Sequence, residues 1–224
     1  MGQRISFEQP DGKTAEGYLA AASGRRRGGL VVIQEWWGLQ DQITGICDRL
    51  ADAGFEALAP DLYSGAVIPY HDIKSADHEM NALDFRDATD QASRGAAQRL
   101  LSSGGKVGIT GFCLGGIITV LGACRIPELS CGVAYYGLPS PDDYDPADIR
   151  IPLQGHFALE DNWCKPEHVD AFEAAVAAAK KDVTIYRYAV KHGFVNEQLP
   201  HVFDRAAFDL AWQRTLAFFG QHLD

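Results

Sequence analysis

The sequence predicts an α/β domain: a mainly parallel, doubly wound sheet with helices on both faces. Three observations predict it. Short apolar runs alternate with stretches whose apolar residues recur at helical spacing, as strands joined by crossover helices require. One run, Gly29–Gln34, is continuously apolar, as a strand covered on both faces should be. The stretch Lys106–Ala123 joins a short buried strand, a glycine-rich turn and an apolar helical run. A chain of 224 residues, 46% hydrophobic and 22% charged, suits one such domain spanning residues 1–224. It contains no repeat, linker or low-complexity tract.

The elements follow in order. Ile5–Glu8 and Glu16–Ala21 alternate apolar and polar residues around Pro10-Asp11-Gly12, which predicts an opening hairpin. The cluster Arg25-Arg26-Arg27 reads as a solvated turn between strands. Gly29–Gln34 ends in Glu35-Trp36-Trp37-Gly38, and Asp41 reads as the N-cap of a helix carrying Ile43, Ile46, Leu50 and Ala51, which Gly54 closes. Phe55–Pro60 is the next strand, followed by Asp61-Leu62-Tyr63-Ser64-Gly65. Residues 66–80 are irregular and rich in histidine and aspartate, a loop or short helical excursion. Leu83, Phe85, Ala88, Ala92, Ala96 and Leu100 predict an amphipathic helix over Asn81–Leu101. Val107–Thr110 is a strand, then comes the helix after the turn. Cys131–Tyr136 is a strand, Gly137–Arg150 a Pro/Asp-rich loop, and Ile151–Phe157 a strand leading into Ala158–Trp163. Pro166 starts a helix through Lys181. Val183–Tyr188 is the last strand, followed by Val190-Lys191-His192-Gly193-Phe194, and Phe203–His222 is the closing helix.

Composition excludes several roles. The formal charge of −10 makes phosphate backbones poor partners. No apolar run approaches the ~20 residues of a membrane span, and the N-terminus has no apolar secretory core. Its Met1-Gly2-x-x-x-Ser6 fits the myristoylation pattern, but Ile5 and Phe7 read as the start of a strand. Five cysteines (Cys47, Cys113, Cys124, Cys131 and Cys164) form neither a disulfide framework nor a zinc signature, and no C-x-x-C pair exists for redox work. Free thiols point to a reducing compartment, the cytoplasm. The expected partner is a small molecule, with no nucleic acid and no membrane, and the chain is expected to be a monomer or weak homodimer.

The turn in Lys106–Ala123 carries Cys113 in the frame Gly111-x-Cys113-x-Gly115. This is the nucleophile-elbow pattern with sulfur in place of the usual serine oxygen. Its central residue is held in a strained backbone conformation, so residues two before and two after must lack bulk. It then stands at a helix N-terminus, where the dipole and unpaired N–H groups favour a thiolate and bind an oxyanion. Alone, the pattern also fits a tight βα turn around an inert core thiol.

Active sites of such sheets gather beyond the C-terminal ends of the strands, and Glu35, Cys113, Asp161 and His192 each follow a predicted strand. The last three run in the order nucleophile, acid, histidine, the α/β-hydrolase order. Cys113 would attack a carbonyl, His192 would relay the proton, and Asp161 would orient the imidazole. Backbone N–H groups of Trp36 and Leu114 would form the oxyanion hole. Glu160 competes with Asp161, and His156, His168, His201 and His222 compete with His192. Glu35 is left without a role by this reasoning.

Gln34-Glu35-Trp36-Trp37-Gly38-Leu39, Ala59-Pro60-Asp61-Leu62-Tyr63, Gly111-Phe112-Cys113-Leu114-Gly115-Gly116, Asp161 before an aromatic, and His192-Gly193-Phe194 together resemble the dienelactone hydrolase family over nearly the whole chain. The resemblance implies an α/β-hydrolase fold, a Cys113–His192–Asp161 triad and no cofactor or metal. It also implies that Glu35 contacts the cysteine and helps to form the thiolate when substrate binds. The reaction expected is hydrolysis of a small lactone or ester, dienelactone-like, through an acyl-enzyme. The alternatives are an esterase for small esters lacking a carboxylate, and a non-catalytic scaffold. Trp37, Phe194 and Lys191 are expected to bind substrate. Well-studied members hold the substrate carboxylate with two arginines, yet residues 66–83 and 195–201 contain none. His71, Lys74, His78, Lys191 or His201 would have to substitute, and a lysine does not reproduce a bidentate clamp.

Overall fold

The computed structural model describes residues 1–224. The strands are β1 (Gln3–Glu8), β2 (Thr14–Ala20), β3 (Gly28–Ile33), β4 (Phe55–Pro60), β5 (Val107–Phe112), β6 (Leu129–Tyr135), β7 (Leu153–Glu160) and β8 (Val183–Lys191). They form one sheet in the order β1-β2-β4-β3-β5-β6-β7-β8. The pairings β1–β2 and β2–β4 are antiparallel, and all the rest are parallel. The helices are α1 (Asp41–Asp52), α2 (Ile73–Ala82), α3 (Phe85–Asp87), α4 (Arg94–Leu101), α5 (Leu114–Arg125), α6 (Pro166–Ala178) and α7 (Arg205–Leu223). None is long and apolar enough to cross a membrane.

Alternation along the central strands explains the two layers. Leu30 and Val32 of β3 point to a cluster with Ile43, Ile46 and Leu50 of α1 and Phe219 of α7, all buried. Val31 and Ile33 point the other way, to Leu100 of α4 and Ile118 of α5. Residues one apart on a strand face opposite sides, so an apolar run is what a sheet sandwiched between helices needs. A third cluster joins α5 to α6 through Val120, Phe157, Val169 and Phe172.

In the region read as a loop or short helical excursion the structure has the helix, α2, whose N-cap Asp72 accepts from Ser75 N at 3.1 Å and Ser75 Oγ at 2.7 Å. The structure departs from the sequence reading elsewhere. The single helix expected over residues 81–101 is broken at Leu83, and Asp84 caps a new start. Residues Ala88–Ser93 then wind as a π-helix, with Ser93 Oγ donating to the Ala88 carbonyl at 2.8 Å. The arginine cluster is not a merely solvated turn. Arg26 Nε bonds Glu56 Oε2 at 2.8 Å, while Arg27 bonds both oxygens of Asp224 and lies 4.6 Å over the Phe55 ring. Two of the three arginines therefore tie β3 to β4 and to the C-terminus.

The joint between β5 and α5 is the tightest point of the fold. Cys113 adopts φ 56° and ψ −118°, and α5 starts at the next residue. The reversal brings Gly111 and Gly115 together: a Cβ on Gly111 would lie 2.1 Å from the Gly115 carbonyl oxygen. That contact is with backbone and cannot be relieved by a rotamer. Gly111→Ala is therefore expected to destabilise the protein by about 3 kcal/mol or more. Gly122→Ala, whose added carbon meets only side-chain ends at 3.3 Å or beyond, should stay within about 1 kcal/mol of wild type. Urea unfolding of both variants compares them directly, and equal stabilities would contradict the account of the turn.

Candidate active site

Residues following five strands gather around one pocket, and three of them, Glu35, Cys113 and His192, line it. Glu35 follows β3, Cys113 follows β5, Tyr136 follows β6, Asp161 follows β7 and His192 follows β8. The pairing of β7 with β8 ends at Glu160↔Lys191, so the next residues on each strand, Asp161 and His192, leave the sheet side by side. His192 Nδ1 and Asp161 Oδ2 are 2.7 Å apart. The other carboxylate oxygen accepts from the backbone N–H groups of Trp163 at 2.8 Å and Cys164 at 2.9 Å, which fixes the acid. Glu160, the sequence competitor, is exposed. His156 is wholly buried and bonded to Tyr188 and Gln154, away from this site.

With Nδ1 committed to Asp161, His192 turns Nε2 toward Cys113, which lines the same pocket. Burial opposes an imidazolium here. The Cys113 sulfur and the Asp161 carboxylate outweigh it and raise His192 to about 10. Tyr136 and Trp163 set their rings edge-on to the imidazole at 4.8 and 5.2 Å. Leu114 opens α5, so its N–H has no partner within the helix. The Trp36 N–H likewise makes no hydrogen bond within the backbone.

Glu35 is 3% exposed and lines the pocket with Cys113. The resemblance implies contact with the cysteine, but the carboxylate is held elsewhere. Tyr136 donates its hydroxyl to Oε1 at 2.8 Å and Asn196 its amide to Oε2 at 2.6 Å. Burial pushes the Glu35 carboxyl upward, against the pull of these donors and of His192. Tyr136 reaches this position through a left-handed backbone, φ 36°. Sequence reasoning missed both Tyr136 and Asn196, because nothing in a strand-end tyrosine or a loop asparagine marks a partner so far away in the chain.

The cavity measures about 260 Å³. Trp37 is on its wall, 4% exposed, with Trp36 against it edge-on at 5.0 Å. Two expected contacts are corrected. Phe194 is fully buried behind the site, packed on Tyr136 and Tyr188 at 5.6 and 5.1 Å, because the turn at Gly193 points it into the core. Lys191 is exposed at the end of β8 and does not line the cavity. Ile73, Trp163, Leu199, His201 and Val202 do line it.

Fold and site together place the protein among the α/β-hydrolases. The model of the dienelactone hydrolase family matches residues 15–223. The chain is 34% identical over 232 residues to "Protein usf" of Aquifex pyrophilus, covering 100% of both chains. It is 31% identical over 235 residues to "Putative carboxymethylenebutenolidase" of Aquifex aeolicus (strain VF5), again covering 100% of both. A solved structure, "Putative Dienelactone Hydrolase from Klebsiella pneumoniae subsp. pneumoniae MGH 78578", superposes with a TM-score of 0.85 at 27% identity, covering 99% of this chain and 100% of that one. The chain belongs to the dienelactone hydrolase family.

Burial, the main cause in each case, pushes Cys124 up to about 11, Cys131 and Cys164 to about 12, and Cys47 well above the ordinary thiol range. Cys113 alone stands at a helix N-terminus facing a histidine and an open cavity. Brief treatment of the native protein with iodoacetamide, followed by peptide mass mapping, should find the adduct on Cys113. Dominant labelling at any of the other four would contradict this reading of the site.

Proposed function

We propose that the protein hydrolyses small carboxylic esters or lactones through a covalent thioester on Cys113. The observation that carries the reading is Cys113 and His192 on one small cavity, with Asp161 hydrogen-bonded to His192 and Cys113 on a strained strand-to-helix turn. The name carboxymethylenebutenolidase, carried by the Aquifex aeolicus relative, points to a cyclic ester.

In this reading the Cys113 sulfur attacks the carbonyl carbon, and the negative charge on the carbonyl oxygen is taken up by the N–H groups of Trp36 and Leu114. As the tetrahedral intermediate collapses, the C–O bond to the alcohol breaks and His192, the imidazolium beside Asp161, gives its Nε2 proton to the leaving oxygen. In a lactone the ring opens and the alcohol stays attached to the acyl group. Water then attacks the thioester, His192 takes its proton, and the acid leaves with the thiol restored. Asp161 orients the ring through Nδ1 in both steps and stabilises its cation. These side chains and water supply every atom and proton.

Glu35 has a second task. Its carboxylate shares the cavity with Cys113, and its two donors are neutral, so a shift toward the sulfur breaks no ion pair. When substrate displaces it, the carboxylate accepts the thiol proton and Cys113 becomes the attacking thiolate; as the acid leaves, Glu35 returns that proton to the sulfur. A permanent negative charge against the sulfur would disfavour that thiolate by repulsion. Holding Glu35 on Tyr136 and Asn196 until substrate arrives avoids that cost.

Steady-state hydrolysis of p-nitrophenyl acetate by purified variants tests these roles. Asp161→Asn should lose about three to four orders of magnitude in kcat, as loss of an orienting carboxylate does. Glu160→Gln should change kcat less than about threefold. Glu35→Gln should fold normally and lose most of its turnover. The opposite ranking of the two neighbouring acids would assign the wrong one.

A further inference from the structure

The cavity wall has a composition that the reaction itself does not require. Trp36, Trp37, Ile73, Trp163, Leu199 and Val202 form its apolar surface. Its ionisable groups are Glu35, Cys113, His192 and His201, and no arginine or lysine faces it. Two of the apolar residues, Ile73 at 52% and Trp163 at 42% exposure, remain in water at the cavity. Large apolar side chains left exposed in a concave site mark a surface that is covered when an apolar ligand arrives.

Charge tells the same story. A carboxylate carried into this cavity would lose its hydration and need a cation as partner. His192 is engaged with Asp161, and Arg49 and Arg205, which are not on the cavity wall, are paired with Glu197 and Asp209. The remaining acid on the cavity's inner wall, Glu35, has both oxygens taken by the hydroxyl of Tyr136 and the amide of Asn196 and offers a second carboxylate no cation. His201 is exposed at the mouth, where water and salt screen it. Lys74 and Lys191, exposed elsewhere, do not reach the wall.

We propose that this cavity selects uncharged, apolar acyl groups, aryl or short alkyl, and discriminates against esters and lactones that carry a carboxylate. The inference rests on the hydrolase reading above and specifies its substrate class. The volume, about 260 Å³, is below the ~300–1,000 Å³ usual for drug-sized ligands, which limits the bound group to roughly one ring or a short chain. Selection comes from burying the substrate against indole and aliphatic surface, with no charged contact to set its register.

The test is kcat/KM at pH 8, where an ordinary exposed imidazole is neutral, for two esters of similar length: p-nitrophenyl valerate and mono-p-nitrophenyl succinate. The Cys113→Ala protein supplies the background. The neutral ester should be preferred by at least about thirtyfold. Ile73→Arg, at a half-exposed position that tolerates a long side chain, should shrink this ratio at least about tenfold by improving the succinate. Leu199→Arg serves the same purpose if the first variant is poorly folded. A ratio near one, or a preference for the succinate, overturns the proposal while leaving hydrolysis intact. A preference unmoved by either arginine puts selection outside this cavity and overturns it as well. If neither ester is hydrolysed above the Cys113→Ala background, the hydrolase reading itself fails.

Discussion

One close backbone contact organises this protein: the joint at which β5 becomes α5. Gly111 and Gly115 meet there with no room for a methyl group, and Cys113 is driven into a positive φ between them. A Cβ on Gly115 would itself lie 2.6 Å from the Ile33 carbonyl oxygen, so the same turn sits directly against β3. The sulfur is thus presented at the mouth of the central parallel strands and at the positive end of a twelve-residue helix. The rest of the site is arranged to meet it. The strain is sustained because both neighbouring layers are fully packed: β3 and β5 are buried along their whole length.

The second layer of organisation is the pairing of β7 with β8. A register that ends on Glu160↔Lys191 delivers Asp161 and His192 together, and the two backbone N–H groups of the following bend fix the acid without any further charged residue. Glu35 arrives from β3 and is held by groups from β6 and the loop after β8. Three different crossovers thus contribute to one carboxylate. That arrangement holds a buried acid near a thiol on two neutral hydrogen-bond donors.

The parts legible in the sequence were those that local chemistry decides. β4 was read with the bounds it has, because its flanking Gly54 and the Asp61–Gly65 turn residues mark both ends. The elbow was legible because its glycines are sterically required, and the strand-end positions of Asp161 and His192 followed from the alternation of elements. The helix α2 was legible only as one of two alternatives, although Asp72 and Ser75 carry a capping pattern, because the many histidines and aspartates around it weaken the apolar period. The break at Leu83 and Asp84 was hidden by apolar residues that stay in phase across it. Tyr136, Asn196 and the true place of Phe194 depend on turns and on contacts between distant segments, which no local pattern encodes.

The central claim is that catalysis passes through a thioester on Cys113. Acid-quenching the enzyme during steady-state turnover of p-nitrophenyl valerate, then mapping peptides by mass spectrometry, tests it most directly. The account predicts an acyl group of the substrate's mass on the Cys113 peptide, absent in Cys113→Ala, which should also be inactive. Turnover that persists in Cys113→Ala, or an acyl group carried by another residue, would contradict it.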